Sequence, residues 1–357
     1  MTSNLPSPSA PETGEEEALV EQLRIGAEPG VVLAATLHLP LGRGRAPFPV
    51  MLAIPGGGPG GRHCYDFLKR RFLDDGIAML EYDKRGVWES TGEHTDALSV
   101  QVSDATVMID FLRSRPDIDG DRIALIGLCH GGVVAPQLAV RDSGIAAVVL
   151  LSGPVGPGPV LFLRQMKAAL LDDGMRQPLA DRLTDDTRRL FEARSRGAAA
   201  STIADLQDVL VESFVVAGFR PSDARGAMFL IDTAESLSMW NAEPDQALAN
   251  VRAPVLALYG SIDTFVSPST NVPAARAALA ANPDATVIEL PGMNHLFQHS
   301  KTGSRQEMRD LGAPNSAPEM IHLVGDWVSE RLNPPSRTRV EEKSTSSMGV
   351  GSDVRLS

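Results

Sequence analysis

A series of apolar runs between Phe48 and Gly292 constrains the fold of this chain more than any other feature. Most of these runs do not alternate with polar residues, so the strands they predict must be buried on both faces. Helix-length segments separate them, and a parallel sheet needs such segments to connect its strands. The sequence therefore predicts an α/β fold with a mostly parallel central sheet flanked by helices. The runs read FPVMLAIP, GIAMLEYD, RIALIGL, IAAVVLLSG, APVLALYG and ATVIELPG.

Shorter patterns complete the predicted main domain. The segments EQLRIG and GVVLAATLHLP flank the breakers Glu28-Pro29-Gly30, which predicts a β-hairpin ahead of the parallel strands. Periodic segments between and after the strands predict helices over residues 64–75, 100–115, 130–142, 269–282 and 317–332.

The alternation of strands and helices breaks between residues 155 and 250. Helix-forming residues, Asp/Arg pairs and turn signals such as RSRG and FRPSD occur there without a convincing strand. We predict that residues 155–250 form a helical cap inserted into an α/β core, which consists of residues 19–154 and 251–333.

The terminal segments and the overall charge limit the classes of function. Residues 1–18 and the polar segment 334–357 are predicted to be disordered. The first of them lacks the basic and apolar regions of a secretory signal, which favours a cytoplasmic protein. A net charge of −12 disfavours a nucleic-acid partner, and no apolar run reaches the roughly 18 residues of a membrane span. The sequence leaves the oligomeric state open.

The stretch LIGLCHGG, residues 125–132, ends a predicted strand and begins a predicted helix around Cys129. This context and its Gly-x-nucleophile-x-Gly frame are typical of a nucleophile elbow. Gly127 and Gly131 let the neighbouring backbone pass because they carry no Cβ atom. The start of a helix lowers the pKa of a cysteine, so Cys129 is predicted to be reactive. The alternative is a buried cysteine that only fills space.

On these residues the chain resembles the α/β-hydrolase superfamily over roughly residues 20–332. GLCHGG is similar to the elbow of dienelactone hydrolases, which use a cysteine nucleophile, whereas EYDKRGVWES, LYGSIDTFV and LPGMNHLFQ look more like a branch of bacterial serine esterases. The family order of nucleophile, acid and histidine implies that Asp263 is the acid and His295 the base. The carboxylate would orient the imidazole and stabilise its protonated form.

The glycine-rich segment AIPGGGPGG follows the third predicted strand. The resemblance implies that a backbone N–H of this loop and the N–H after the nucleophile stabilise an oxyanion. Gly57 and His130 are the implied donors, with Gly58 as a neighbouring substrate-binding residue. The role of the His130 side chain stays open, and a flexible turn is the alternative reading of the loop.

The second cysteine and the acidic turn are given structural roles. Nothing pairs Cys64 with a base, so it is predicted to be a packing residue, although a reversible disulfide with Cys129 stays open. Asp83 and Arg85 resemble a family turn held by ion pairing.

Neither a metal nor a cofactor is expected. No ligand spacing such as His-x-x-x-His occurs among the remaining histidines. They are His38, His63, His94, His299 and His322.

Bulky apolar residues of the predicted cap supply helix core, and a subset of them is predicted to roof the active site. The substrate contacts expected on this basis are Met166, Met239 and Trp240, together with Gly58. Adaptable Met and Phe side chains favour an apolar acyl group as the small-molecule partner.

The favoured function is hydrolysis of an ester, thioester or lactone by Cys129, His295 and Asp263 through a covalent acyl-thioester intermediate. One alternative is an acyltransferase or cyclase that uses the same intermediate. Another is a ligand-binding protein without turnover on a hydrolase scaffold, because a fold does not by itself imply activity.

Overall fold

The computed structural model describes residues 18–312 and 316–333. In these ranges the strands form one eight-stranded sheet, consisting of β1 (Ala18–Glu28), β2 (Val31–Pro40), β3 (Phe48–Ile54), β4 (Ala78–Tyr82), β5 (Ile118–Leu128), β6 (Ile145–Leu151), β7 (Val255–Gly260) and β8 (Ala285–Leu290). Their order across the sheet is β1-β2-β4-β3-β5-β6-β7-β8. β1 and β2 form the predicted antiparallel hairpin, β2 runs antiparallel to β4, and β3 to β8 are parallel. The predicted α/β class is confirmed.

Helices connect the parallel strands and build the cap. They are α1 (Asp66–Asp74), α2 (Leu98–Ser114), α3 (Gly131–Arg141), α4 (Gly158–Asp172), α5 (Gln177–Ser195), α6 (Ala200–Val216), α7 (Pro221–Ile231), α8 (Ala234–Trp240), α9 (Pro244–Ala249), α10 (Pro268–Ala278), α11 (Arg305–Leu311) and α12 (Pro318–Leu332). A 3-10 turn, Leu279–Ala281, extends α10. The five helices predicted for the main domain are present, with ends shifted by a few residues.

The sheet is covered on both faces, which explains the continuous apolar runs. In β5, Leu125 packs in the cluster that includes α2, α3, α9 and α10, whereas the next residue, Ile126, packs with α1 and α12. Both side chains are fully buried. Because successive residues of a strand point to opposite faces, a strand between two helical layers must be apolar at every position.

The segment between β6 and β7 is helical, as the sequence predicts. Helices α4 to α8 share an apolar cluster of their own, in which the ring of Phe191 lies 5.0 Å from that of Phe162 and 5.3 Å from that of Trp240. α9 differs from the other five, because its Leu248 packs in the main core. α9 therefore belongs with the α/β core by its packing, although it lies inside the range predicted for the cap.

The boundaries predicted at the termini fall at the limits of the described residues. Ala18, the last residue of the predicted leader, begins β1 instead, since it pairs with Pro40. The rest of that leader and the predicted tail, residues 334–357, lie outside the described residues. Among the helices of the described residues, none combines the length and the apolar character that crossing a bilayer requires.

The turn after β4 is held by ion pairs. Asp83 accepts hydrogen bonds from the Arg62 guanidinium, at 3.1 Å from Nε and 2.8 Å from Nη2. Arg85 donates to Asp104 at 3.0 Å from Nε, which ties the turn to α2. The structural role predicted for Asp83 and Arg85 agrees with these contacts. The ammonium of Lys84, which lies between them in sequence, contacts the glycine loop instead.

Candidate active site

Cys129 lies in a tight turn between β5 and α3. Its φ of 53° is in the left-handed region, which non-glycine residues seldom adopt. A Cβ atom on Gly127 would lie 2.2 Å from the Gly131 carbonyl oxygen, and one on Gly131 would lie 2.4 Å from the Ile54 carbonyl oxygen. The steric need for glycine predicted at both positions is therefore confirmed.

A buried tyrosine braces this turn from below. The Tyr65 hydroxyl donates to the Ile54 carbonyl at 2.7 Å and accepts the Leu128 N–H at 2.6 Å. It thus joins the end of β3 to the end of β5 just before Cys129. No sequence pattern pointed to this residue, because it lies 63 positions from Leu128 and the contact exists only in the folded chain.

Asp263 and His295 come together after β7 and β8. The Asp263 carboxylate lies 2.8 Å from Nδ1 of His295. Its other oxygen accepts the backbone N–H groups of Phe265 at 2.8 Å and Val266 at 2.9 Å, so the carboxylate is fixed before it orients the imidazole. Both side chains are buried, which strengthens this hydrogen bond.

The imidazole also reaches the sulfur of Cys129. Burial would raise the pKa of the Cys129 thiol, but the charge of His295, its hydrogen bond and the His130 backbone N–H hold that pKa below its ordinary value. Burial would lower the pKa of His295, but Cys129 and Asp263 raise it. The two shifts share a cause, the mutual attraction of thiolate and imidazolium, which favours the ionised form of the Cys129 sulfur.

The ion pair predicts a measurable pH dependence. Because only the thiolate reacts, alkylation of Cys129 by iodoacetamide should be half-maximal at a lower pH than alkylation of a free cysteine. In His295→Ala the charge and the hydrogen bond of the imidazole are lost while burial remains, so the midpoint should move to a higher pH than in the wild type. Peptide mass spectrometry across a pH series measures both midpoints, with Cys129→Ala reporting any reaction at Cys64. Equal midpoints in the wild type and His295→Ala would contradict the ion pair.

The glycine loop after β3 faces Cys129. Gly57 lines the cavity above the sulfur, next to the side chain of His130. The neighbouring N–H of Gly58 is already used, because it donates to Asp96 at 2.7 Å. Gly58 contributes to the wall of the cavity, and the Gly57 N–H has no hydrogen-bond partner within the part of the chain that the structure describes.

The side chain of His130, left open by the sequence, is buried and neutral. Burial, and then the charge of Lys84, lower the pKa of His130 to about 4. Its Nε2 atom has no hydrogen-bond partner among the described residues. The imidazole therefore carries no charge at neutral pH, and its backbone N–H beside Cys129 is the part suited to an oxyanion.

A cavity of about 640 Å³ lies above Cys129, between the main domain and the cap. Gly58 and Met239, two of the predicted substrate contacts, line it. Within the part of the chain that the structure describes, Met166 and Trp240 do not line the cavity. Both pack in the apolar cluster of the cap instead. Packing large side chains between the cap helices removes more apolar surface from water than a place on an open wall would.

The lining of this cavity is mixed rather than apolar. Its charged members are Asp96, Arg164, Glu235 and Arg305. The guanidinium of Arg305 lies 4.7 Å from the ring centroid of Phe265, and that ring stacks on His295 at 5.0 Å. This layered arrangement confines the imidazole between Asp263 and Cys129. The sequence did not predict it, since its members come from separate loops.

Cys64 differs from Cys129 in its surroundings. Both are free thiols. Burial is the largest cause that raises the pKa of Cys64, and no imidazole opposes it. A neutral thiol of this kind reacts slowly, which is consistent with the packing role predicted from the sequence.

One group of possible metal ligands lies apart from the cavity lining. Ligand atoms of His63, Asp66 and Glu81 lie within 4.8 Å of one another. The ammonium of Lys69 pairs with both carboxylates and lies 3.0 Å from that of Glu81. This lysine already supplies the positive charge that the two carboxylates require. The spacing of the histidines in the sequence gave no signal for the group.

The fold and the site together define the class of the protein. The sequence profile of the alpha/beta hydrolase family matches residues 51–305, so the chain belongs to this family. The family order of nucleophile, acid and histidine expected from the resemblance corresponds to residues that meet in the structure.

Named relatives share parts of the chain. Esterase FrsA of Escherichia coli is 31% identical over 141 residues, which are 38% of this chain and 32% of the relative. A polyketide transferase of Penicillium, grgF, is 31% identical over 83 residues, 23% of this chain and 28% of the relative. The chain thus spans about a third of the length of the curated relatives it matches.

Solved structures resemble the chain over most of its length. An esterase of Pyrococcus furiosus has a TM-score of 0.55 at 15% identity, covering 92% of this chain and 97% of its own. A dienelactone hydrolase described as putative, from Klebsiella pneumoniae, has a TM-score of 0.53 at 15% identity, covering 89% of this chain and 99% of its own. At these identities the likeness shows a shared fold.

Proposed function

We propose that this protein hydrolyses an ester, thioester or lactone of a small-molecule acyl compound, with Cys129 as the nucleophile. One observation carries the proposal: the His295 imidazole contacts the Asp263 carboxylate on one side and the Cys129 sulfur on the other. A packing cysteine has no need of such a relay, whereas a nucleophile needs its base in this position.

The first half-reaction acylates the cysteine. The Cys129 thiolate attacks the carbonyl carbon, and the carbonyl π electrons move onto oxygen, where the Gly57 and His130 N–H groups stabilise the negative charge. The tetrahedral intermediate collapses, the carbon–heteroatom bond breaks, and the imidazolium of His295 gives its proton to the leaving group. The acyl thioester and a neutral imidazole remain.

The second half-reaction restores the thiolate. Neutral His295 removes a proton from water as the water oxygen attacks the thioester carbonyl. Collapse of the second intermediate breaks the carbon–sulfur bond and releases the acid. The sulfur leaves as thiolate while His295 is again protonated, so the ion pair of the resting enzyme is restored. Asp263 holds the imidazole in both halves.

The cavity has room for a substrate that extends beyond the carbonyl group attacked by Cys129. Met239 and Gly58 contact the space beside Cys129, so we place the substrate against these two residues. Met166 and Trp240 lie behind the residues that line the cavity, and they support that lining by packing between the cap helices. Arg164 and Arg305 add polar surface, which admits an acyl chain that carries polar groups.

Acyl transfer is the second candidate function. The likeness to a polyketide transferase over 83 residues favours it, and so does the cap, because a roofed cavity can favour an acceptor over water. In that case the thioester carbon is attacked by an amine, thiol or hydroxyl of the acceptor, or by a group of the same acyl chain in a cyclisation. Cys129, His295 and Asp263 keep the same roles.

Product analysis separates these functions. The wild type is incubated with a panel of aryl esters, acyl thioesters and lactones, with and without an added amine or thiol, and products are identified by mass spectrometry. Free acid as the main product with the acceptor present supports hydrolysis, whereas an acyl acceptor product supports transfer. Binding of panel members without any product, acid or transferred, would reject both in favour of a ligand-binding protein. Cys64→Ala is the matched control, because it removes the other thiol.

A further inference from the structure

Lys84 lies buried beneath the glycine loop, in a place that the mechanism above does not use. Its residue exposure is 0%, although an ammonium group is seldom fully buried. The ammonium donates to the carbonyl oxygens of Gly56 and Gly58, at 3.1 Å for Gly58, and to the Asp96 carboxylate at 2.6 Å. An ammonium group has three N–H donors, so all of them are used by these partners.

The contact with Gly56 bears directly on the oxyanion donor. The Gly56 carbonyl and the Gly57 N–H belong to the same peptide group, which is planar and trans. They therefore point in opposite directions, and an ammonium that holds the oxygen on one side directs the N–H to the other. Gly57 itself lines the cavity. A charged donor on the carbonyl also polarises the peptide and strengthens its N–H as a donor.

Asp96 holds the next peptide group and completes the arrangement. One of its oxygens accepts the Gly58 N–H at 2.7 Å and the other accepts from Lys84. Burial would raise the pKa of Asp96, but the charge of Lys84 and its hydrogen bond lower it, so the carboxylate is ionised. Without these hydrogen bonds from Lys84 and to Asp96, a run of three glycines would sample many conformations.

The segment that carries Asp96 is itself anchored to the cap. The Thr95 hydroxyl donates to Glu235 at 2.8 Å, and the Leu98 N–H donates to the Ser238 hydroxyl at 3.3 Å. Both acceptors belong to α8, the helix that also places Met239 in the cavity lining. The loop, the ion pair and the roof of the cavity are therefore connected.

We propose that Lys84 and Asp96 are positioning residues that fix the Gly57 N–H as an oxyanion donor. This assignment rests on the proposed function, since it requires attack of Cys129 on a carbonyl. The pair acts on the step in which negative charge develops on oxygen and leaves the nucleophilicity of the sulfur unchanged. Alkylation of Cys129 by iodoacetamide forms no oxyanion, so the two reactions separate positioning of the loop from general damage.

The test compares acylation with alkylation in Lys84→Met and Asp96→Asn. Acylation by p-nitrophenyl acetate is followed as the burst of p-nitrophenolate, and alkylation by iodoacetamide as loss of free Cys129. We expect Lys84→Met to slow acylation by about 10- to 100-fold, somewhat less than removal of an oxyanion donor outright. Alkylation should change by less than about twofold, because the ion pair with His295 is intact.

Two further comparisons sharpen the assignment. Asp96→Asn keeps an oxygen for the Gly58 N–H and should be milder than Asp96→Ala, which removes it. The double variant Lys84→Met with Asp96→Asn should acylate at about the same rate as Lys84→Met alone. The effects of two substitutions are not additive when the two residues act as a unit. Lys69→Met is the matched control, since it removes another largely buried lysine that pairs with carboxylates and should leave both rates at the wild-type level.

Each outcome has a distinct meaning. Equal acylation in Lys84→Met and the wild type would overturn the assignment, and so would a parallel loss of acylation and alkylation. If Lys84→Met does not fold, Asp96→Asn decides, because its amide nitrogen cannot accept from Lys84 while its oxygen still accepts the Gly58 N–H. Slower acylation with unchanged alkylation would then support the assignment, and unchanged acylation would overturn it. Absence of acetylation at Cys129 in the wild type would instead refute the proposed function, and the assignment with it.

Discussion

Cys129→Ala is expected to lower kcat by at least about 10³-fold on any substrate that the wild type turns over, because residues of a catalytic relay contribute losses of this size or larger. The alanine variant keeps the backbone of the elbow but has no sulfur to form the acyl intermediate. Its fold should be unaffected, as measured by thermal unfolding and by binding of a non-reacting substrate analogue. Steady-state kinetics on the best substrate of the panel measure the loss.

His295→Ala should lose a similar factor, and the double variant should lose little more than either alone, because the sulfur and the imidazole act as one unit. Cys64→Ala is the control and should retain wild-type kcat. Near wild-type turnover in Cys129→Ala would remove the cysteine from the mechanism. Loss of turnover in Cys64→Ala as well would point to a general effect of cysteine replacement.

Gly127→Ala is expected to lower the free energy of unfolding by at least about 3 kcal/mol, because the new methyl group meets backbone that cannot move aside. A Cβ atom there would lie 2.2 Å from the Gly131 carbonyl oxygen and 2.7 Å from the Gly132 nitrogen. Relief of this clash requires α3 to shift away from β5, which would also displace Cys129. Equilibrium unfolding in urea measures the change.

Gly26→Ala provides the comparison. Gly26 lies in β1, and a Cβ atom there would meet nothing within 4 Å. The same substitution should therefore leave the urea midpoint close to that of the wild type. Similar midpoints for Gly127→Ala and Gly26→Ala would contradict the close packing of the elbow.

Features that depend on local sequence were predictable. The apolar runs predicted the parallel strands because a strand buried on both faces is apolar at every position. Leu125 and Ile126, which face opposite sides of the sheet, illustrate this. The elbow was predictable for a related reason, since the constraints on Gly127 and Gly131 come from backbone a few residues away or from the adjoining strand. The resemblance to the hydrolases supplied Asp263 and His295 as the expected acid and base.

Features that depend on long-range side-chain contacts were not predictable. Lys84 lies in the stretch YDKRG, where the sequence indicated a structural turn, and its acceptors come from the glycine loop and from Asp96. Tyr65 is similar, because its two partners lie in different strands. In each case the neighbouring sequence does not indicate the hydrogen-bond partner, because tertiary packing alone determines which groups meet.

The cap shows the same limit in another form. Composition predicted helices and bulky apolar residues between β6 and β7, but it did not distinguish a residue that lines the cavity from one that packs between helices. Met239 lines the cavity, whereas Trp240, the next residue, is 5% exposed and packs within the cap. Adjacent residues of a helix point about 100° apart, so the orientation of α8 decides between the two roles.

We expect the sulfur of Cys129 to carry the acyl group during turnover. The wild type is mixed with p-nitrophenyl acetate, quenched with acid during the burst, digested and mapped by mass spectrometry. We predict one acetyl group on the peptide that contains Cys129, formed as fast as p-nitrophenolate is released and absent from the peptide that contains Cys64. Release of acetate with the acetyl group on another residue, or on none at any quench time, would contradict the account.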